Sequence, residues 1–142
     1  MGKFFENFGM FFIRVTACIT LITLHGWGKL KNPTGFSEIL KSKGIIFPEL
    51  LSYLSLSAET VFPLLIIFGF LTRFSAFITS LNMFVATFIF HIMINSDPVK
   101  VWEKPFLYMV VFMFITITGG GDFTLDHFLS GKKKRSRWRS KF

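Results

Sequence analysis

Four long apolar segments alternate with short polar breaks along the 142-residue chain. We predict that they form helices at about residues 8–28, 46–71, 74–95 and 101–119. An α-helix rises 1.5 Å per residue, so about twenty residues cross the roughly 30 Å of hydrocarbon in a bilayer. The pattern therefore predicts an all-α membrane protein. Its expected fold is an antiparallel bundle of four transmembrane helices within residues 1–128, followed by a basic tail at 129–142.

The basic residues indicate how such a bundle is oriented. Four spans place both termini on one side of the membrane, and seven of the 16 Lys and Arg residues lie in positions 132–142. Lys3 and Arg73 add to that side, whereas the two longer breaks, at 28–44 and 96–104, carry six lysines. Because basic residues favour the cytoplasmic side, we expect both termini in the cytoplasm, with the tail beside anionic lipid.

The composition excludes several other classes of protein. With 51% hydrophobic residues and only eight acidic ones, the chain does not look like a soluble domain. The basic tail is interrupted by one aromatic residue, Trp138, so we expect no nucleic-acid partner. A single cysteine, Cys18, excludes an intramolecular disulfide and any CxxC redox centre.

Two charged residues fall deep inside the predicted spans, Arg14 in the first and Glu59 in the second. Counted along the helices, Arg14 precedes His25 by eleven residues and Glu59 follows Pro48 by eleven, so both lie about 16 Å deep. A charge in hydrocarbon needs a partner or a function. We therefore predict an ion pair between Arg14 and Glu59. Its structural alternative is a buried pair that serves only to fix the helix register.

Pro63 follows Glu59 by four residues and has no backbone N–H, which leaves the carbonyl of Glu59 without its helical donor. We predict a helix kink at Pro63 and a concentrated acceptor site beside the carboxylate. Ser52 and Ser55 share the helix face of Glu59, although such hydroxyl residues also line ordinary helix contacts.

Polar and aromatic residues gather at the expected outer ends of the spans. We predict that His25 and His91 face one outward-opening cavity with Glu59 at its floor and Arg14 beneath it. The predicted rim consists of Tyr53, Trp102, Glu103 and Tyr108. The alternative has both histidines in the lipid interface, pointing apart. Glu103 is the only further candidate ligand for a metal, and no metal-ligand spacing supports one, so we expect none.

The order of these elements resembles the DoxX family of small bacterial four-helix membrane proteins. The resemblance covers about residues 5–128. It rests on Arg14, on the exit His25-Gly26-Trp27-Gly28-Lys29-Leu30, on Ala58-Glu59 before Gly69-Phe70-Leu71-Thr72-Arg73, on His91 and on Gly120-Gly121-Asp122-Phe123-Thr124-Leu125-Asp126. Family members often have glycine where this chain has Pro63.

The resemblance implies a bacterial inner-membrane protein, and a quinone-linked oxidoreductase subunit acting on a small sulfur or other redox substrate. A quinone is the cofactor that it suggests, and His25, His91, Glu59 and Arg14 could supply hydrogen bonds and a proton route. The implied partners are the lipid bilayer, a redox partner subunit and a second copy of the chain. The alternative is a non-enzymatic membrane subunit or a small-solute transporter. The sequence identifies no catalytic residue.

Overall fold

The computed structural model describes residues 2–129 and is helical, with no strand in that range. Helix α1 comprises Gly2–Leu21, a π-helical turn Ile22–Gly26 and Trp27–Lys31. The next two are α2, Pro33–Ser42, and α3, Pro48–Phe68, which is interrupted at Thr60. The last two are α4, Thr72–Ile94, whose second half from Val85 is π-helical, and α5, Val99–Thr118.

Helices α1, α3, α4 and α5 are each long and apolar enough to cross a membrane. They confirm the predicted all-α fold class and its four spans. Helix α2 is a fifth element of ten residues, within the break at 28–44 where the sequence predicted a loop. The predicted basic tail begins at residue 129, and nearly all of it lies outside the described residues.

Side-chain hydrogen bonds between helices fix the vertical register of the bundle. Helices α3 and α4 are joined by the tight turn at 69–71, and Thr79 of α4 donates to the carbonyl of Ala58 at 3.2 Å. Ser80 of the same helix donates to Met109 of α5 at 3.0 Å. Small hydroxyl side chains allow helices to approach closely and satisfy each other's backbone in a low-dielectric medium. We name the two ends of the bundle the Arg14 end, which contains the turn at 69–71, and the Pro48 end.

Helix α3 breaks just after Glu59. Thr60 has φ −128° and ψ −64°, outside the helical range, and Pro63 follows without an N–H to bond the carbonyl of Glu59. Helix α1 closes on this point: a Cβ built on Gly26 would lie 2.7 Å from the Glu59 carbonyl oxygen and 2.7 Å from Thr60 Cγ2. Gly26 therefore lies level with Glu59, and only a glycine fits there.

The Arg14 end is closed by the segment that follows α5. Arg14, buried to 1% exposure, donates from Nη1 to the carbonyl of Gly120 at 3.2 Å and from Nη2 to that of Phe123 at 2.7 Å. Asp126 then caps α4, because its carboxylate accepts from the backbone N–H groups of Leu71 and Thr72 at 2.9 and 2.8 Å. The Thr72 hydroxyl adds a third bond at 2.8 Å.

Replacing Asp126 with Asn should lower the free energy of unfolding by about 1–2 kcal/mol, because a charged helix cap is lost. Burial alone would raise the pKa of Asp126, but the bonds from Thr72 and Leu71 outweigh it and hold the pKa below its ordinary value of 3.8. The stabilisation is therefore complete above that ordinary value and is lost as the pH falls through the lower folded-state pKa. Thermal unfolding in detergent from pH 6 to pH 3 measures both effects.

The matched control for Asp126 is Asp122→Asn, since Asp122 is exposed and accepts a bond from the half-buried side chain of Asn7. It should cost less than about 0.5 kcal/mol. Equal losses in the two variants, or an acid-induced loss of stability that Asp126→Asn leaves unchanged, would contradict the cap.

Gly26→Ala should lower the free energy of unfolding by about 1–3 kcal/mol, because the new methyl group meets backbone that cannot yield. Gly28→Ala is the control in the same helix, since a Cβ there has nothing within 4 Å. It should be neutral or stabilising by up to about 1 kcal/mol, as alanine favours the helix over glycine. Detergent melting curves that rank the two variants in the opposite order would refute the close approach at Gly26.

Candidate functional site

Four polar side chains from three helices meet in the middle of the bundle. Lys29 Nζ of α1 lies 2.6 Å from Glu59 Oε1 and 2.8 Å from Ser55 Oγ, both of α3. Asn82 Nδ2 of α4 donates to the same Glu59 oxygen at 3.2 Å, and Ser55 Oγ lies 3.3 Å from it. These four residues are named the Lys29–Glu59 cluster.

The cluster lies at mid-depth of the spans. Glu59 is eleven residues from Pro48 and nine from Phe68, or about 16 Å and 14 Å from the two ends of its helix. Its side chain is 4% exposed and that of Lys29 is 22% exposed. A carboxylate at this depth is tolerable only because it is paired and bonded, and such residues commonly mark functional sites.

The π-helical turn Ile22–Gly26 immediately precedes the last turn of α1, which carries Lys29. A π-turn has more residues per turn than an α-helix, so it changes the direction of every side chain that follows. It also frequently occurs at functional sites. Lys29 thereby points into the bundle, although the neighbouring Lys31 remains exposed.

The cluster keeps unused hydrogen-bonding capacity. All three donors bond one oxygen of Glu59, and Oε2 is buried with no partner among the described residues. The Lys29 ammonium has three protons and bonds two oxygens, while the ring of Phe36 covers it with its centroid 4.3 Å away. The arrangement can therefore accept a hydrogen bond or a proton at Oε2 and donate one from Lys29.

The predicted ion pair between Arg14 and Glu59 is wrong. Arg14 bonds Gly120 and Phe123 at the Arg14 end, while Glu59 pairs with Lys29. The depth count failed because it aligned His25 with Pro48, whereas the structure aligns Gly26 with Glu59. Arg14 precedes Gly26 by twelve residues and so lies about 18 Å from the level of Glu59.

The two histidines have different neighbours. His25 packs its ring edge-to-face on Tyr108, with centroids 5.7 Å apart, and precedes Lys29 by four residues on the same face of α1. His91 Nδ1 lies 2.8 Å from the carboxylate of Asp97, in the loop at the Pro48 end. This bond is the main cause that lowers the pKa of Asp97 below its ordinary value.

No contact within residues 2–129 joins the two imidazoles directly, and their shared cavity stays a prediction. The expected rim residues lie on two helices: Tyr53 is on α3, and Trp102, Glu103 and Tyr108, which packs on His25, are on α5. Tyr53 is 56% exposed on α3, and Glu103 is exposed on α5. Trp102 packs edge-on against Phe106, with ring centroids 6.3 Å apart.

Sequence reasoning missed Lys29 and Asn82. Lys29 lies beyond the predicted end of the first helix, in the break at 28–44, where its charge was used only to predict the topology. Asn82 was missed because, beyond the ionisable residues, only polar residues on the face of Glu59 were considered and none on the third span. The available signal was polarity itself, since an uncharged amide inside a transmembrane segment also needs a partner.

Lys29→Met should lower the free energy of unfolding by about 3 kcal/mol, because it leaves the buried carboxylate of Glu59 without its counter-charge. The double variant Lys29→Met with Glu59→Gln should recover part of that loss, since no uncompensated charge remains. Lys31→Met is the control, as Lys31 is exposed and its Nζ lies 5.6 Å from the ring centroid of the exposed Trp27. A Lys29→Met protein that melts in detergent with the Lys31→Met control would disprove the pairing.

Comparison with known proteins identifies the family. A family model described as DoxX matches residues 9–92, more than half of the chain. Inner membrane protein YqjF of Escherichia coli (strain K12) is 30% identical over 134 residues, which are 92% of this chain and 98% of that protein. No solved structure matches the chain significantly. Together with four helices long enough to span a membrane, these matches make the chain a multi-pass inner-membrane protein that belongs to the DoxX family.

Proposed function

We propose that the Lys29–Glu59 cluster binds the headgroup of a quinone or quinol, and that the chain acts as a quinone-linked subunit of an oxidoreductase for a small redox substrate. The observation that supports this most is the buried Oε2 atom of Glu59 at mid-depth of the span, which has no hydrogen-bond partner among the described residues. A buried acceptor without a donor costs free energy, and a bound hydroxyl group would remove that cost.

The donor set fits both forms of the headgroup. A quinone offers carbonyl oxygens, which would accept from the Lys29 ammonium, and a quinol offers hydroxyl groups, which would donate to Glu59 Oε2. Quinones dissolve in the hydrocarbon, so a polar site at mid-depth is reachable from the lipid. When bound, the quinone would supply two-electron redox chemistry that the side chains lack.

The protein's own residues would then position the headgroup and carry its protons. Glu59 would accept a proton at Oε2 while Ser55 and Asn82 hold its other oxygen in place. His25, one turn before Lys29 and close to the level of Glu59, would hold that proton beside the cluster before it leaves toward the Pro48 end. If both termini are cytoplasmic, as we propose from the basic tail, that end faces the outside.

Electrons need a route from outside this chain. The single cysteine, Cys18, is buried and forms no redox pair, and the sequence contains no haem-ligand motif. We therefore propose that the small substrate is oxidised either directly at the quinone or by a partner subunit that delivers its electrons to this site.

The alternative function is a non-enzymatic membrane subunit or a small-solute transporter, in which the cluster only fixes the packing of α1, α3 and α4. The observation that favours it is the short Lys29–Glu59 distance of 2.6 Å, because the two charges already neutralise each other. In that case the cluster would hold the bundle together without binding anything.

The decisive experiment quantifies quinone in the purified protein. The wild-type protein, extracted from membranes in mild detergent, should retain quinone at close to one molecule per chain, detected by chromatography of its solvent extract. Glu59→Gln should lower this ratio by tenfold or more, because the amide replaces the acceptor pair of the carboxylate. Added quinone should raise the melting temperature of the wild-type protein.

Glu49→Gln is the matched control, since Glu49 is an exposed carboxylate in the first turn of α3. It should leave both the quinone ratio and the thermal shift unchanged. If wild-type protein carries no quinone and shows no shift, while Glu59→Gln still loses stability, the cluster is structural and the proposed function fails.

A further inference from the structure

Helix α1 does not reach the Pro48 end of the bundle. It ends at Lys31, five residues or about 8 Å beyond Gly26, which lies level with Glu59. Helix α3 continues for eleven residues, about 16 Å, from Glu59 to Pro48 in the same direction. The Lys29–Glu59 cluster would therefore be open toward the Pro48 end if α1 were its only neighbour there.

Helix α2 fills this gap. The chain changes direction at Asn32, where α2 begins, and Ser52 of α3 donates to the carbonyl of Pro33 at 3.3 Å. Leu40 is buried to 5% exposure, and the ring of Phe36 packs on Phe90 of α4 with centroids 5.8 Å apart. With ten residues, α2 is about 15 Å long and too short to cross the membrane itself.

Phe36 joins α2 to the cluster. Its ring centroid lies 4.3 Å from Lys29 Nζ, which also donates to Ser55 and Glu59. A cation–π contact of this kind is much weaker than the buried ion pair beneath it. Phe36 can therefore leave Lys29 without disrupting the cluster.

The two junctions of α2 suit a movable element. Asn32, at its start, is non-helical, with φ −136° and ψ 77°, and its side chain caps the helix by accepting from the N–H of Gly35 at 3.1 Å. Gly44, after its end, has φ +72° and open space around it. The helix therefore has its own N-terminal cap, and the backbone changes direction on either side of it.

We infer that α2 is a movable cover over the Lys29–Glu59 cluster and that Phe36 determines which solutes reach Lys29. The cover follows from the contacts of α2 alone; only its role in admitting a quinone headgroup rests on the proposed function. The flat ring of Phe36 occupies the face of Lys29 that a ligand would use, so an entering aromatic or quinoid ring would have to exchange places with it.

Acylation of lysines by a water-soluble N-hydroxysuccinimide ester tests the cover without any quinone. In the wild-type protein in detergent, mass spectrometry should find Lys29 modified much more slowly than the exposed Lys31. Phe36→Leu, which stays apolar but loses the aromatic face, should raise the Lys29 rate relative to Lys31 by about fivefold. Phe36→Trp, with a stronger cation–π face, should lower that rate or leave it unchanged.

The control is Ile39→Ala, because Ile39 lies on the same helix but is 48% exposed. It should leave the ratio of the two rates unchanged, and all variants should keep the wild-type melting temperature within a few degrees. Equal modification of Lys29 and Lys31 in the wild-type protein, or a ratio in Phe36→Leu identical to the wild type, would overturn the cover. A changed ratio in a protein that binds no quinone would keep the cover and reject the proposed function alone.

Discussion

The carboxylate of Glu59 at mid-membrane depth is the constraint on which the rest of the bundle depends. Such a charge is unfavourable in hydrocarbon, so its own helix and two neighbouring helices each supply a group that stabilises it. Helix α1 delivers Lys29 after a π-helical turn, α3 delivers Ser55 one turn before Glu59, and α4 delivers Asn82. Gly26 allows α1 to come close enough for Lys29 to reach, because any Cβ there would meet the backbone of α3. The packing of the three helices and the position of the charge are therefore one property of the fold.

The break at Thr60 belongs to the same arrangement. Pro63 removes the donor that the Glu59 carbonyl would have had, and the resulting bend lies where α1 approaches most closely. In an uninterrupted α3, the carbonyl groups would point along the helix axis, and α1 would pack at a greater distance. Thr79 of α4 donates to the carbonyl of Ala58, one residue before Glu59. Irregular backbone in a membrane is tolerated only where protein covers it, and here α1 and α4 do so.

Hydropathy predicted the four spans and the fold class, because the length and apolar character of a segment are local properties. It also singled out Arg14, Glu59 and Pro63 as unusual inside a membrane. The pairing failed because the vertical offset between helices is not a local property. The residues around His25 and Pro48 do not reveal that α1 ends at Lys31, whereas α3 extends much farther toward the Pro48 end. The sequence did not predict α2 for a related reason, since its ten residues follow Asn32 and begin with Pro33, and the pair Asn32-Pro33 also suits a loop.

The two buried charges differ in their partners and in their depth. Arg14 donates two bonds to the backbone of the segment after α5, although its buried Nε has no partner among the described residues. The carboxylate of Asp126 caps α4, so both groups serve to close the Arg14 end. Glu59 accepts from three donors with Oε1, while its Oε2 has no partner among the described residues, at mid-depth of its helix. A cluster selected for stability alone would be expected to spread its donors over both oxygens, because each unsatisfied buried acceptor costs about 1–3 kcal/mol. Under the proposed function, the hydroxyl group of a bound quinol would supply the donor that Oε2 lacks.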